Sequence, residues 1–80
     1  MLRLAHAETP IKPGQIWREV DTKRLVRVLS VEPNGCPVIQ TCDAEGNLNP
    51  KRRPSIAAYY RFATMPGTRT GADFLLSTSP

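Results

Sequence analysis

Five side chains between positions 51 and 61 have the chemistry of a polyanion contact. Lys51, Arg52, Arg53 and Arg61 are cations, and Tyr59 offers an aromatic face, with Tyr60 beside it. Lys and Arg neutralise phosphates, and a tyrosine ring stacks on bases of any identity. How many cations could follow one phosphate backbone depends on local geometry. An extended segment sends Lys51 and Arg53 to one side and Arg52 to the other. A loop between Pro50 and Pro54 lets all three act together. The competing reading is an edge strand blunted by charge and proline, which keeps sheets from pairing edge to edge. Trp17, the sole tryptophan, and Tyr59 are candidate anchors for a protein partner. The alternative for Trp17 is packing as the lid of a small barrel.

Catalytic chemistry is poorly provided. The single histidine, His6, sits in the N-terminal segment, and no Cys/His spacing matches a zinc site. Cys36 and Cys42 have neither a nearby base nor a helix N-terminus in view to lower a thiol pKa. If the residues between them are extended, their Cα atoms lie about 20 Å apart, against the ~5.5 Å of a disulfide. The acids Glu8, Glu19, Asp21, Glu32, Asp43, Glu45 and Asp73 fall mostly in turns or at strand ends, and no glycine-rich phosphate loop is present. The expectation is a non-enzymatic protein with no catalytic residues, no metal and no cofactor. Free thiols suit a reducing compartment. No apolar run approaches the ~20 residues of a membrane span, and the opening residues lack a secretion signal. The chain therefore reads as cytoplasmic.

The elements that must position these side chains are short. At 80 residues the chain is one domain, burying only about 60% of its unfolded surface. Pro13-Gly14 is a turn, and Gln15 to Val20 then alternates, with Ile16, Arg18 and Val20 opposite Gln15, Trp17 and Glu19. Residues 25–32, LVRVLSVE, form the best strand, rich in β-branched residues. EPNG and DAEGN are turns whose glycines, Gly35 and Gly46, take positive φ, and they bracket a partner strand over 37–43. Residues 47–56 read as an edge strand or loop. Ile56, Tyr59 and Tyr60 fit one helical turn, RFATM (61–65) a short strand, PGTRTG a loop, and ADFLLS (72–77) a last strand. The expected core is Ile16, Trp17, Val20, Val26, Val28, Leu29, Val31, Val38, Ile39, Ile56, Tyr60, Phe62, Phe74 and Leu75.

The formal net charge is +4, and it is uneven. Between Gly46 and Ala72 there is no acid, only Lys51, Arg52, Arg53, Arg61 and Arg69. A positive half of this kind favours anionic partners.

IKPGQIW, then VRVLSV after a basic turn, then SIAAYYRF resembles a group of short bacterial and phage proteins that open on Lys-Pro-Gly-Gln-aliphatic-Trp, and more broadly SH3-like small barrels. The start is also similar to the KOW motif, but Gly35 comes only after a four-residue turn and the second glycine of that motif is missing. The resemblance covers roughly residues 11–77 and implies fold more than function, since such barrels host many unrelated roles. Together these readings give an all-β chain: a five- to six-stranded, partly open SH3-like barrel with at most one helical turn. Residues 1–10 form an arm, 11–77 the barrel and 78–80 a frayed end. The expected function is binding without catalysis. Nucleic acid would dock on Lys51, Arg52, Arg53, Tyr59 and Arg61. Alternatively, the chain would be a protein-interaction module, such as a phage or mobile-element accessory or inhibitor protein, acting through Trp17, Tyr59 and the edge strand.

Overall fold

β-branched residues at alternate positions build the centre of the sheet. In β2 (Leu25–Val31) Val26 and Val28 are buried while Arg27 and Ser30 face out. The structure, a computed structural model, describes residues 11–62 and 73–78. The other strands are β1 (Ile16–Glu19), β3 (Pro37–Thr41), β4 (Ser55–Ile56) and β5 (Phe74–Thr78), with a 3₁₀ turn at Tyr59–Arg61. All pairings are antiparallel, in the order β4-β3-β2-β1-β5. The chain meanders from β1 to β4, passes through the 3₁₀ turn, and returns to lay β5 beside β1. The two free edges are β4 and β5, so the sheet is a partly open barrel. The protein is all-β, as expected, with five strands and one helical turn among the described residues.

Glycine closes the turns on both sides of β3. Gly35 and Gly46 have φ of 91° and 88°, a region that costs an L-side chain about 1–2 kcal/mol. Around Gly46, Asp43 acts as the nucleus. One carboxylate oxygen accepts the N–H groups of Glu45 and Asn47, and the other accepts the Asn47 side-chain amide. These donors, the Asn47 N–H foremost, hold the Asp43 carboxyl below its ordinary range.

The core is aromatic at its centre. Trp17, Val26, Val28, Ile39, Ala57, Phe62 and Phe74 form one buried cluster. Phe62 meets Trp17 edge-on, with centroids 5.3 Å apart, and stacks on Phe74 at 4.3 Å. Such pairs add about 0.5–1.5 kcal/mol beyond their burial. Phe62 follows the 3₁₀ turn, so it ties the segment after β4 to both β1 and β5 across the open side.

Several expectations need correction. Trp17 is 0% exposed, and its indole N–H donates to Gln15 Oε1 at 3.0 Å, so it offers no surface to a protein partner. Ile16 is buried too, on the opposite face, because the Gly46 loop lies over it. A bulge in the β1–β5 pairing falls between Ile16 and Trp17. In the last strand Leu76, not Leu75, packs on the core. Val20 is also exposed, at the strand end where β1 turns away. Leu29 sits at the β2–β3 bulge between Val28 and Ser30 and, like Val38, is half-buried, whereas Val31, also half-buried, packs on the core as expected. Ile56 is 63% exposed. It belongs to the edge strand rather than to the helical turn, and it pairs with Val38 on the face away from the core. Of the strand expected at 61–65, Arg61 instead closes the 3₁₀ turn and Phe62 caps it, and 63–65 lie outside the described residues. Residues 63–72, where a strand end and a loop were expected, residues 1–10, expected as an arm, residues 79–80 and the Tyr60 side chain fall outside what is described.

Candidate nucleic-acid interface

The basic run lies in the connection between β3 and β4, and hydrogen bonds fix its backbone. The Asn49 N–H donates to the Thr41 carbonyl, and the Asn49 carbonyl accepts the Arg52 N–H. The Asn49 side-chain oxygen accepts the Lys51 N–H at 3.0 Å. Gln40, on the outer face of β3, donates its amide to the carbonyls of Asn49 and Arg52, both at 3.0 Å. Pro50 and Pro54 restrict φ at either end. This is the loop alternative and not the extended one, so strand alternation does not separate the three cations.

Lys51, Arg52 and Arg53 are all exposed. None of the ion pairs among the described residues involves them. β4 follows directly, and Tyr59 on the 3₁₀ turn is 49% exposed.

Arg61 has a different place. Its Nη2 lies 3.0 Å from Glu19 Oε2 and its Nε 2.8 Å from Asp73 Oδ2. Its guanidinium also sits 5.0 Å from the centre of the Phe74 ring. Glu19 takes a second cation, Arg24, at 3.1 Å, and accepts the Thr22 hydroxyl at 2.8 Å. The Thr22 hydrogen bond, with Arg24 and Arg61, holds the Glu19 carboxyl below its ordinary value against the opposing effect of burial. This clasp joins β1, the β1–β2 turn, the 3₁₀ turn and β5. Arg61 is thus compensated in space although its stretch of sequence carries no acid.

Beside the basic turn lies an open cleft of about 290 Å³, lined by Thr41, Cys42, Asn47, Leu48 and Pro50 among others. The Cys42 thiol within it is pushed up, first by burial and then by the Asp43 charge. That keeps it protonated and a poor nucleophile. Cys36 and Cys42 are free thiols. Among the described residues no group of three His, Cys, Asp or Glu side chains could hold a metal ion. No helix among them is long and apolar enough to cross a membrane.

Two glutamines, one that positions the site and one that supports the core, carry roles that the sequence did not single out. Gln40 anchors the basic turn. Gln15 supports Trp17 and accepts the Lys12 N–H at 2.8 Å. The signal for Gln15 was present, because strand alternation already places it on the face of Trp17. For Gln40 no local signal exists, since its acceptors lie nine and twelve residues away. The arrangement as a whole offers three cations outside the ion pairs on a pinned turn, followed in the chain by an exposed sheet edge and a half-exposed tyrosine. The chain matches no family model, no curated protein and no solved structure.

Proposed function

We propose that this chain is a non-enzymatic binding module that contacts nucleic acid through Lys51, Arg52 and Arg53. One observation carries the reading: three exposed cations without acidic partners stand on a turn whose backbone hydrogen bonds are already made. A fixed turn orders little on binding, so less of the Coulombic gain is lost to entropy. Arg61, bound to Glu19 and Asp73, is part of the scaffold in this reading and not of the footprint. The free thiols support a reducing, cytoplasmic setting. The test is binding to a mixed oligonucleotide at low salt. The charge-neutral variant Lys51→Gln/Arg52→Gln/Arg53→Gln should bind about tenfold more weakly or worse. Equal affinity of the two proteins would remove the reading.

The β4 edge supports a second reading. Ile56 is the most exposed large apolar residue among those described, and β4 has one side unpaired in the sheet. An extended segment of another protein can add to such an edge. This suits an accessory or inhibitor protein of a phage or mobile element, with β4 and Tyr59 as its contact surface. It predicts a partner that is lost from pull-downs on Ile56→Asp or Tyr59→Ala. A partner indifferent to both changes would count against it.

A further inference from the structure

We propose that the outer corner formed by the basic turn, β4 and the 3₁₀ turn takes single-stranded rather than duplex nucleic acid, with phosphates on Lys51, Arg52 and Arg53 and an unstacked base on Tyr59 beside Ile56. This rests on the nucleic-acid reading above and adds the strand state of the ligand.

The sheet register brings the parts together. Ile39 is in the core, so Val38 and Gln40, its neighbours in β3, project from the opposite face. Val38 pairs with Ile56, which puts the Ile56 side chain on that same outer face. From that face Gln40 reaches the carbonyls of Asn49 and Arg52. The basic turn and Ile56 therefore share one corner of the sheet. Tyr59 comes three residues later, so its Cα lies no more than about 11 Å from that of Ile56. Ala57 donates its N–H to the Pro37 carbonyl. The antiparallel alternation then turns the Ile56 N–H and C=O toward the open edge, away from β3.

The chemistry selects the strand state. A duplex presents one charge per about 1.7 Å of axis and keeps its base faces stacked. A purely cationic turn would prefer that denser charge. Tyr59 and Ile56 add something only a single strand can use, because the ring and the aliphatic surface need a free base face. Preference for the single strand, against the gradient of charge density, is thus the signature of the apolar part of the corner.

The experiment uses fluorescence anisotropy on the full chain. Its probes are an oligothymidylate of about 16 nucleotides, near the upper site size of a single small barrel, the duplex of the same strand with oligoadenylate, and polyglutamate. The expected result is single-strand binding about tenfold tighter than duplex binding at equal salt. Tyr59→Ala should lose about that factor on the single strand only, without changing the salt dependence. Tyr59→Phe should keep the preference, and unchanged duplex binding by Tyr59→Ala shows that its loss on the single strand is not misfolding. Duplex binding as tight as single-strand binding, with both reduced by loss of the three cations, overturns this inference and leaves the nucleic-acid reading standing. So does an equal effect of Tyr59→Ala on both ligands. Binding to neither nucleic acid removes both claims. Polyglutamate bound as tightly as the oligonucleotide, and dependent on Tyr59, would assign the corner to an acidic protein segment instead.

Discussion

Replacing Gln15 by leucine tests the least forgiving polar contact in the structure. Gln15 is 2% exposed, and its Oε1 accepts the Trp17 indole N–H at 3.0 Å and the Lys12 N–H at 2.8 Å. Leucine is of similar size, so packing is largely kept while both donors lose their acceptor. Trp17 is fully buried, so its indole N–H is left without an acceptor, which costs about 1–3 kcal/mol. Lys12 is near solvent, and its loss adds about 0.5–1 kcal/mol. The sum, about 1.5–4 kcal/mol, should lower the Tm by roughly 6–30 °C in a domain of this size. Urea unfolding followed by the emission of the single tryptophan reports the site directly. The midpoint should fall with the slope unchanged. The double variant Gln15→Leu/Trp17→Phe removes donor and acceptor together. It should recover about 1 kcal/mol relative to the sum of the single changes. A Gln15→Leu protein within about 0.5 kcal/mol of the parent, or strict additivity in the double variant, would refute the claim that this hydrogen bond secures Trp17 in the core.

Two further predictions concern the scaffold. The Glu19 carboxyl is depressed below its ordinary 4.5, first by the Thr22 hydroxyl and also by Arg24 and Arg61. Its contribution is therefore complete above that value and is lost as pH falls through the lower folded-state pKa. Glu19→Gln should cost about 1–2 kcal/mol at neutral pH, allowing for the partly exposed arginines. It should also flatten the acid limb of a Tm-versus-pH curve, and a parallel curve would contradict the clasp. Gly46→Ala should destabilise by about 1–2 kcal/mol, because the φ is 88°; the new Cβ, 3.4 Å from Ile16 Cδ1, makes only ordinary contact. Gly35→Ala has open space around it and a similarly positive φ, so its urea midpoint should fall by a similar amount, and a much smaller loss would contradict the backbone argument.

The parts of the fold legible in the sequence were those set by near neighbours. Val26 and Val28 alternate with polar residues in a run without breakers, and Gly35 and Gly46 mark their turns with a specific backbone need. The phase of β1 was not legible. Ile16 and Trp17 are both buried because a loop some thirty residues away covers Ile16, and alternation knows nothing of that loop. Ile56 misled for a related reason. Its spacing to Tyr59 and Tyr60 fits a helix, yet its environment is set by Val38 across the sheet. The candidate site divides in the same way. Lys51, Arg52 and Arg53 between two prolines were visible as exposed cations, with an edge strand and a loop left open; the anchoring by Gln40 that decides for the loop was not. The neutralisation of Arg61 was not, because Glu19 lies 42 residues away and Asp73 twelve.

The most direct test of the central claim is the salt dependence of oligonucleotide binding. Three phosphate contacts on a single strand predict a log–log slope of about −2 for the parent chain, falling toward zero when Lys51, Arg52 and Arg53 are all glutamine. A parent slope near zero, or a slope that survives loss of the three cations, would contradict it.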